Sequence, residues 1–578
     1  MDVSRYVEKL KTDMINIDDK KMLLQFITEQ LTPKQMEKKE FGEVFTPLYI
    51  VEEMLHTLPK EVWTNPRLTF LEPGSGLGNF SICVFYRLMD GLKTAIPDSA
   101  KRERHIIENM LYMAECNKAN VHICKGIFKA TKSGYKINLY QGDFLKLNPS
   151  EDRKKDEGET WPENWPKQFN IIVGNPPYNS GGIKSHTGKQ LGEKNETIWP
   201  DFIVKSFDLL KPDGYLVFIN PLSWLKKSHS LHNVMLEKHI IWMKLWDNSQ
   251  SKGMINADIP ISLYVLQNSL NTDKKKTEIT SILKRRNLIT TSNEYLNKDY
   301  SIPLAYHSIF NKLINFIETN NLKLEYSTKT VRSTGEKTKI PSKYKLEDML
   351  AIDTYTIKEG IMIKKASETH PDANKRKLII ANKASFNGAF IDEGKLSLTG
   401  NHKFYVIGDR LELIMKMLSY KIIDIISHYT KYGQDFLDNE AFTYLPDIRK
   451  LGIKDITEDK FYILIGLTTE DINQIKNMSL KNDESEEIAS LKNSKTTYAN
   501  VVKTPAKILI RVDKLKQSAG YSQSTSIKQE TDKLQYILQN VHKIDIKYKM
   551  FEKKLIEIGV NIDYIPKLWK KYYLQLKN

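Results

Sequence analysis

The chain has 578 residues, with 87 Lys and Arg against 71 Asp and Glu, a net charge of +16 and a pI near 9.2. That length exceeds what one hydrophobic core usually supports, so two or three domains are expected, and the basic balance favours a polyanionic partner over an acidic small substrate. No apolar run approaches the roughly 20 residues that cross a bilayer, and Cys83, Cys116 and Cys124 lack the paired spacing of a zinc site, so the pattern argues against a membrane protein or a metal centre and for reduced, buried thiols in a soluble intracellular protein.

Residues 1–40 read as a charged helical segment. From about Leu68 to Asn268, short strand-forming runs alternate with helix-length segments: "RLTFLEP", "NMLYMAEC", "KINLYQGD", "FNIIVGNPP", "GYLVFINP", "IIWMKLWD" and "ISLYVLQN". Strands alternating with helices imply crossover units, a mainly parallel sheet and helices on both faces, so residues 41–270 are expected to form a seven-stranded, doubly wound α/β domain. After about Thr272 the texture changes to the charged stretch "NTDKKKTEITSILKRRN", then to scattered alternating segments, which suggests an α+β domain over 271–450. Residues 451–578 read as a helical, partly flexible C-terminal region. It opens with "TTEDINQIKN", in which Thr469 resembles an N-terminal cap, and contains a polar linker at about 480–529.

Three strand ends carry residues suited to a ligand. "FLEPGSGLGNF" sets Glu72 at the end of the first strand, followed by Gly74, Ser75, Gly76 and Gly78 at the opening of a helix, where glycine permits tight turns and the helix N-terminus offers unpaired N–H groups. The second strand ends at Glu115 and the third at Asp143-Phe144. Ligands of doubly wound sheets bind at this carboxyl edge. There Glu115 suits a ribose diol, Asp143 an adenine amino group and Phe144 the adenine ring.

In order, "GEVFTP" (Gly42–Pro47), "LEPGSGLGNF", "GDF" and "NPPY" (Asn175–Tyr178) resemble the gamma group of S-adenosylmethionine-dependent DNA N6-adenine methyltransferases, over roughly residues 40 to 270. A fainter likeness to that family's target-recognition domain lies in "YLPDI" at Tyr444–Ile448. The resemblance implies a methyltransferase sheet followed by a target-recognition domain, with S-adenosyl-L-methionine as cofactor and double-stranded DNA as substrate. It also implies that Thr46 and Pro47 help hold the cofactor methionine, and that Glu72, Gly74, Gly76, Glu115, Asp143, Phe144 and Asn175 line the cofactor site.

An exocyclic adenine amine is a poor nucleophile because its lone pair is delocalised, so the protein has to orient and polarise it. The Asn175 side-chain oxygen and the Pro176 carbonyl could accept the two N6 hydrogens. Pro176 and Pro177 would fix the backbone, and Tyr178 would stack on a base flipped out of the duplex. The second aromatic that the family often supplies is missing from "DNSQSKGMINADIP", and Trp224 and Trp246 read better as core residues. Lys284-Arg285-Arg286 and Lys375-Arg376-Lys377 are candidate phosphate contacts.

Alternatives are RNA adenine methylation, protein-glutamine methylation and a catalytically silent DNA-binding subunit. The long basic region after Asn268 argues against the second, and intact Gly74, Gly76 and Asn175 argue against the third. Only some 40 residues precede the Thr-Pro segment and no nuclease signature is visible, so a modification-only enzyme is expected, with any partner subunit or restriction enzyme encoded separately.

Overall fold

In the computed structural model, Phe70–Pro73 forms a buried interior strand of a nine-stranded sheet. The structure describes Ile17, Asp18, Lys20, Leu23 and residues 46–478, apart from 130–133, 150–158, 180–196, 272–274, 344, 357–359, 382–385, 387–388, 401–402, 433–436 and 438. These belong to one compact unit, Met1–Ser479. The expected polar linker and the C-terminal helices beyond Met478 lie outside the described residues, as does nearly all of the N-terminal segment.

The strands are β1 (Phe70–Pro73), β2 (Leu111–Glu115), β3 (Asn138–Gln141), β4 (Phe169–Gly174), β5 (Leu210–Pro221), β6 (Lys238–Trp246), β7 (Ile261–Leu270), β8 (Thr277–Leu283) and β9 (Leu288–Glu294). Their spatial order is β9-β8-β6-β7-β5-β4-β1-β2-β3. Pairing is parallel from β3 through β5, antiparallel on both sides of β7, and parallel again between β6 and β8. All seven expected strands are present, and β1 to β6 with β8 end at one edge.

The order reverses at β1. Right-handed crossovers therefore put α1 (Asn79–Gly91) and α2 (Lys118–Ile127) on one face and α3 (Trp199–Leu209) on the other. Coverage on both faces is why β1, β2 and β4 are apolar almost throughout instead of alternating.

The sheet continues past residue 270 into the charged stretch. In β8, Thr277, Ile279, Ser281 and Leu283 alternate inward, and a turn at Lys284–Arg286 returns the chain as the edge strand β9. Beyond it lie α4 (His307–Thr319), a four-stranded sheet and a three-stranded sheet, then short helices. The last described helix, Thr469–Asn477, is capped by Thr468, one residue before the expected Thr469. The Thr468 hydroxyl accepts from the Asp471 N–H, and the Asp471 carboxylate accepts from the Thr468 N–H.

Cys83 and Cys124 are buried as expected, but Cys116 is exposed, because it follows β2 where the chain leaves the sheet edge. Among the described residues no helix is long and apolar enough to cross a membrane.

Candidate active site at the carboxyl edge of the sheet

The β1-to-α1 connection needs glycine for two separate reasons. Gly74 (φ +86°) and Gly76 (φ +55°) adopt left-handed backbone, and a Cβ on Gly74 would stand 3.4 Å from Pro177 Cδ, whereas the same position on Gly76 faces open space. The loop thus touches the Asn-Pro-Pro-Tyr segment at one glycine and leaves room beside the next. Its base is tied to β2, since the N–H groups of Gly74 and Ser75 both donate to the Ala114 carbonyl, at 2.8 and 2.9 Å.

Glu115 closes this loop. Its Oε2 accepts from the Gly76 N–H at 2.6 Å and its Oε1 from the Asn117 N–H at 2.7 Å. Glu72 is nearly fully buried and turns under α1, where its carboxyl accepts from the N–H groups of Phe80 (3.3 Å) and Ser81 (2.9 Å) and from the Ser81 hydroxyl (2.6 Å). Burial pushes its pKa up to about 8, only partly offset by those donors, and the nearby Glu115 raises it further. Glu72 therefore fixes α1 against β1.

Thr46, which precedes Pro47 and the helix Leu48–His56, joins the glycine loop to Asn175. The Asn79 side-chain amide donates to the Thr46 carbonyl at 2.8 Å, and the Asn175 amide donates to the Thr46 hydroxyl at 3.1 Å. The second bond orients the Asn175 amide, with its nitrogen on Thr46 and its oxygen turned the other way. Asn79 Oδ1 is buried and has no hydrogen-bond partner among the described residues. Asn79 was not singled out in the sequence, although it directly follows the last glycine of the loop.

Pro176 is buried, and Tyr178 is only 7% exposed, with its hydroxyl beside the Asn175 side chain. Burial raises the Tyr178 pKa above the usual phenol range, the Asn175 contact opposing the shift. The Tyr178 carbonyl accepts from the Ile198 N–H at 3.2 Å, which sets Trp199 next in line, and the Trp199 ring stacks on His229 with centroids 5.3 Å apart. Burial, with His232 and Lys226 nearby, lowers the His229 pKa. Neither residue of this pair was expected from the sequence.

Asp143 caps the turn after β3 by accepting from the Leu145 N–H at 3.0 Å and stays partly exposed. Phe144 is buried and stacks on Phe202 of α3 at 5.6 Å. Trp224 and Trp246 are core residues, the former donating to Ser262 Oγ at 2.8 Å.

Lys284, Arg285 and Arg286 lie at the end of β8, on the edge that carries Asn175. Lys284 and Arg285 are exposed, the Arg285 N–H donates to Asp247 Oδ2 at 2.8 Å, and the Arg286 guanidinium lies 4.8 Å from the Tyr429 ring centre. Within the tract at 375–377, burial corrects the expectation of a phosphate contact for Lys377. Lys377 is fully buried in an ion pair with Asp392 at 2.5 Å, and Arg376 is engaged by Glu393 at 2.9 Å and by Glu412. Lys375 pairs with Asp372 at 2.8 Å. A cleft of about 890 Å³ between helices Leu48–His56 and α1, lined by Glu52, Cys83 and Arg87, contains none of the expected site residues.

Residues 102–252 match the Eco57I restriction-modification methylase family, a span that runs from the approach to β2 into the helix Asn248–Ile255 and includes Asn175–Tyr178. An "uncharacterized adenine-specific methylase" of Mycoplasma pneumoniae is 27% identical over 257 residues, covering 33% of this chain and 57% of that protein. The chain thus spans little more than half the length of that relative. Two similar solved structures are the ATP-dependent Type ISP restriction-modification enzyme LlaBIII bound to DNA (TM-score 0.41, 11% identity, 68% of this chain and 35% of that one) and a nuclease-deletion mutant of the Type ISP enzyme LlaGI with a DNA substrate mimic (TM-score 0.39, 12% identity, 70% and 46%).

Proposed function

We propose that the chain transfers a methyl group from S-adenosyl-L-methionine to the N6 amine of adenine in a specific sequence of double-stranded DNA. The observation that carries this reading is the bonding of Asn175 through Thr46 to Asn79, which joins an amide suited to a target amine to the glycine loop suited to a cofactor.

The residues present fit that cofactor. Open space beside Gly76 admits a ligand against the backbone, Glu115 stands at the end of β2 as a carboxylate of the kind that suits a ribose diol, and Asn79 Oδ1 is a buried acceptor suited to an ammonium group. The cofactor supplies an activated methyl on a sulfonium centre. The chain's part is to hold the amine. Asn175 Oδ1 and the Pro176 carbonyl accept the two N6 hydrogens, which draws electron density onto the nitrogen as it forms its fourth bond. The same acceptors then stabilise the positive charge before a proton leaves.

Reaching N6 requires the base to leave the stack, at a cost of a few kcal/mol that packing against Tyr178 would offset. The ring has to become more accessible than its present 7% for this to happen. Methyl transfer falls to residues 41–270 with the hairpin to Glu294 that extends the sheet. DNA reading falls to the region up to about residue 450.

The test is direct. The purified chain is incubated with isotope-labelled cofactor and duplex DNA, and the digested nucleosides are separated. Label in N6-methyl-2′-deoxyadenosine supports the reading. Label confined to cytosine, to RNA or to protein overturns it.

A further inference from the structure

The second region carries a basic surface that none of the expected contacts includes. Residues 333–339 form an edge strand, β10 (Ser333–Lys339), in a four-stranded sheet with β11 (Leu350–Thr356), β12 (Gly360–Ala366) and β13 (Ser397–Leu398), in the order β10-β12-β11-β13. Six of its seven residues are exposed, so it buries almost nothing on either face. Between residues 329 and 345 the chain carries Lys329, Arg332, Lys337, Lys339, Lys343 and Lys345 against a single acid, Glu336.

Among these only Lys337 has an ion-pair partner among the described residues, Asp353 at 2.9 Å, and that bond fixes β10 to the sheet. Arg332, Lys339, Lys343 and Lys345 are exposed, with no carboxylate within ion-pair distance among the described residues. This is the reverse of the 375–377 tract, where each cation already has an internal anion.

Lysines on an edge strand also deter strand-on-strand association. That role accounts for Lys337 and Lys339. It does not account for Arg332, Lys343 and Lys345, which extend the same charge beyond both ends of the strand. Four unneutralised cations on and beside an edge strand that is exposed on both faces match the charge of a phosphate backbone, where each contact releases a counterion.

We infer that the β10–β12 ribbon, with the segments that lead into and out of it, is a contact surface for double-stranded DNA. This rests on the proposed function only in its choice of partner, and it moves the principal phosphate contacts of the second region from residues 375–377 to residues 332–345.

The test uses the full chain with Arg332, Lys339, Lys343 and Lys345 all changed to Gln, beside a control of equal net charge with Lys60, Lys93, Lys101 and Lys125 changed to Gln. Affinity for a labelled duplex is measured by anisotropy over a range of salt concentrations, and affinity for S-adenosyl-L-methionine is measured in parallel. The expected result is that the ribbon variant binds DNA at least about tenfold more weakly at 0.1 M salt, with a log–log salt slope lower by roughly 2 to 4, while the control keeps the wild-type slope and all three proteins bind cofactor alike. Equal loss in both variants, no loss in the ribbon variant, tighter binding to duplex RNA than to DNA, or no DNA binding by the wild type would each overturn the inference. Methyl transfer is scored separately: a wild type that binds DNA through the ribbon but never methylates adenine overturns the proposed reaction and leaves the ribbon standing.

Discussion

Asn175 and Thr46, 129 positions apart in sequence, are joined by a 3.1 Å hydrogen bond from the Asn175 amide to the Thr46 hydroxyl. The bond decides which end of the Asn175 amide faces Thr46 and which is presented away from it. Thr46→Val keeps the shape and removes the acceptor, so the amide loses its orientation. A net hydrogen bond is worth about 1 kcal/mol, so single-turnover methyl transfer is expected to slow by roughly fivefold to tenfold, with cofactor affinity changed far less. Thr46→Ser should restore most of the rate. Equal rates for the Val variant and the wild type would show that Thr46 does not position Asn175.

Glu115 holds the glycine loop through two backbone N–H groups. Glu115→Ala leaves both donors without that acceptor, at a cost of about 1–3 kcal/mol in stability, and loosens the open space beside Gly76. Cofactor affinity measured by calorimetry should fall at least tenfold, and the melting temperature should drop by several degrees. Unchanged affinity in a folded variant would remove Glu115 from the cofactor site.

Glu72 gives a pH signature. Its folded pKa is about 8 against an ordinary 4.5, so between those values the folded state holds a proton that the unfolded chain has released. Stability from this residue is therefore lost as pH rises from about 4.5 to about 8, by a few kcal/mol in all. Glu72→Gln cannot ionise and keeps an acceptor for Ser81. In urea titrations the variant should gain on the wild type between pH 6 and pH 8.5. A difference that stays constant with pH would mean the carboxyl titrates normally.

Lys377→Met strands Asp392 as an uncompensated charge in a fully buried position, which costs about 3–5 kcal/mol. Thermal unfolding should reveal the loss. Lys375→Gln, which removes an exposed cation, should change stability by less than about 1 kcal/mol. Comparable stability of the two variants would contradict the burial of the Lys377–Asp392 pair.

That contrast shows where the sequence was readable. The placement of the glycine loop, of the acids at the ends of β2 and β3 and of Asn175–Tyr178 at the carboxyl edge was legible because strand-forming runs that end in glycine, acid or Asn-Pro mark the strand ends locally. Lys377 was not legible, because a Lys-Arg-Lys run reports charge and not burial, and its partner Asp392 is on a different strand. The hairpin β8–β9 was obscured by the lysines before Thr277 and by Lys284-Arg285-Arg286 at its turn, although Thr277, Ile279, Ser281 and Leu283 alternate as a strand should. Trp199 and His229 meet only because the Tyr178 carbonyl binds the Ile198 N–H and the chain after β5 folds back, a convergence that no local pattern encodes.

The measurement that bears most directly on the account compares wild type and Asn175→Ala, each expressed in a host whose DNA carries no methylation. N6-methyladenine is mapped across the genome, and cofactor affinity is measured on the purified proteins. The account predicts methylation of one short sequence by the wild type, loss of at least 99% of it in Asn175→Ala, a drop of about two orders of magnitude typical of a removed polarising contact, and a cofactor affinity within about threefold of wild type. Methylation by the variant at near wild-type levels, or none by a folded, cofactor-binding wild type, would contradict it.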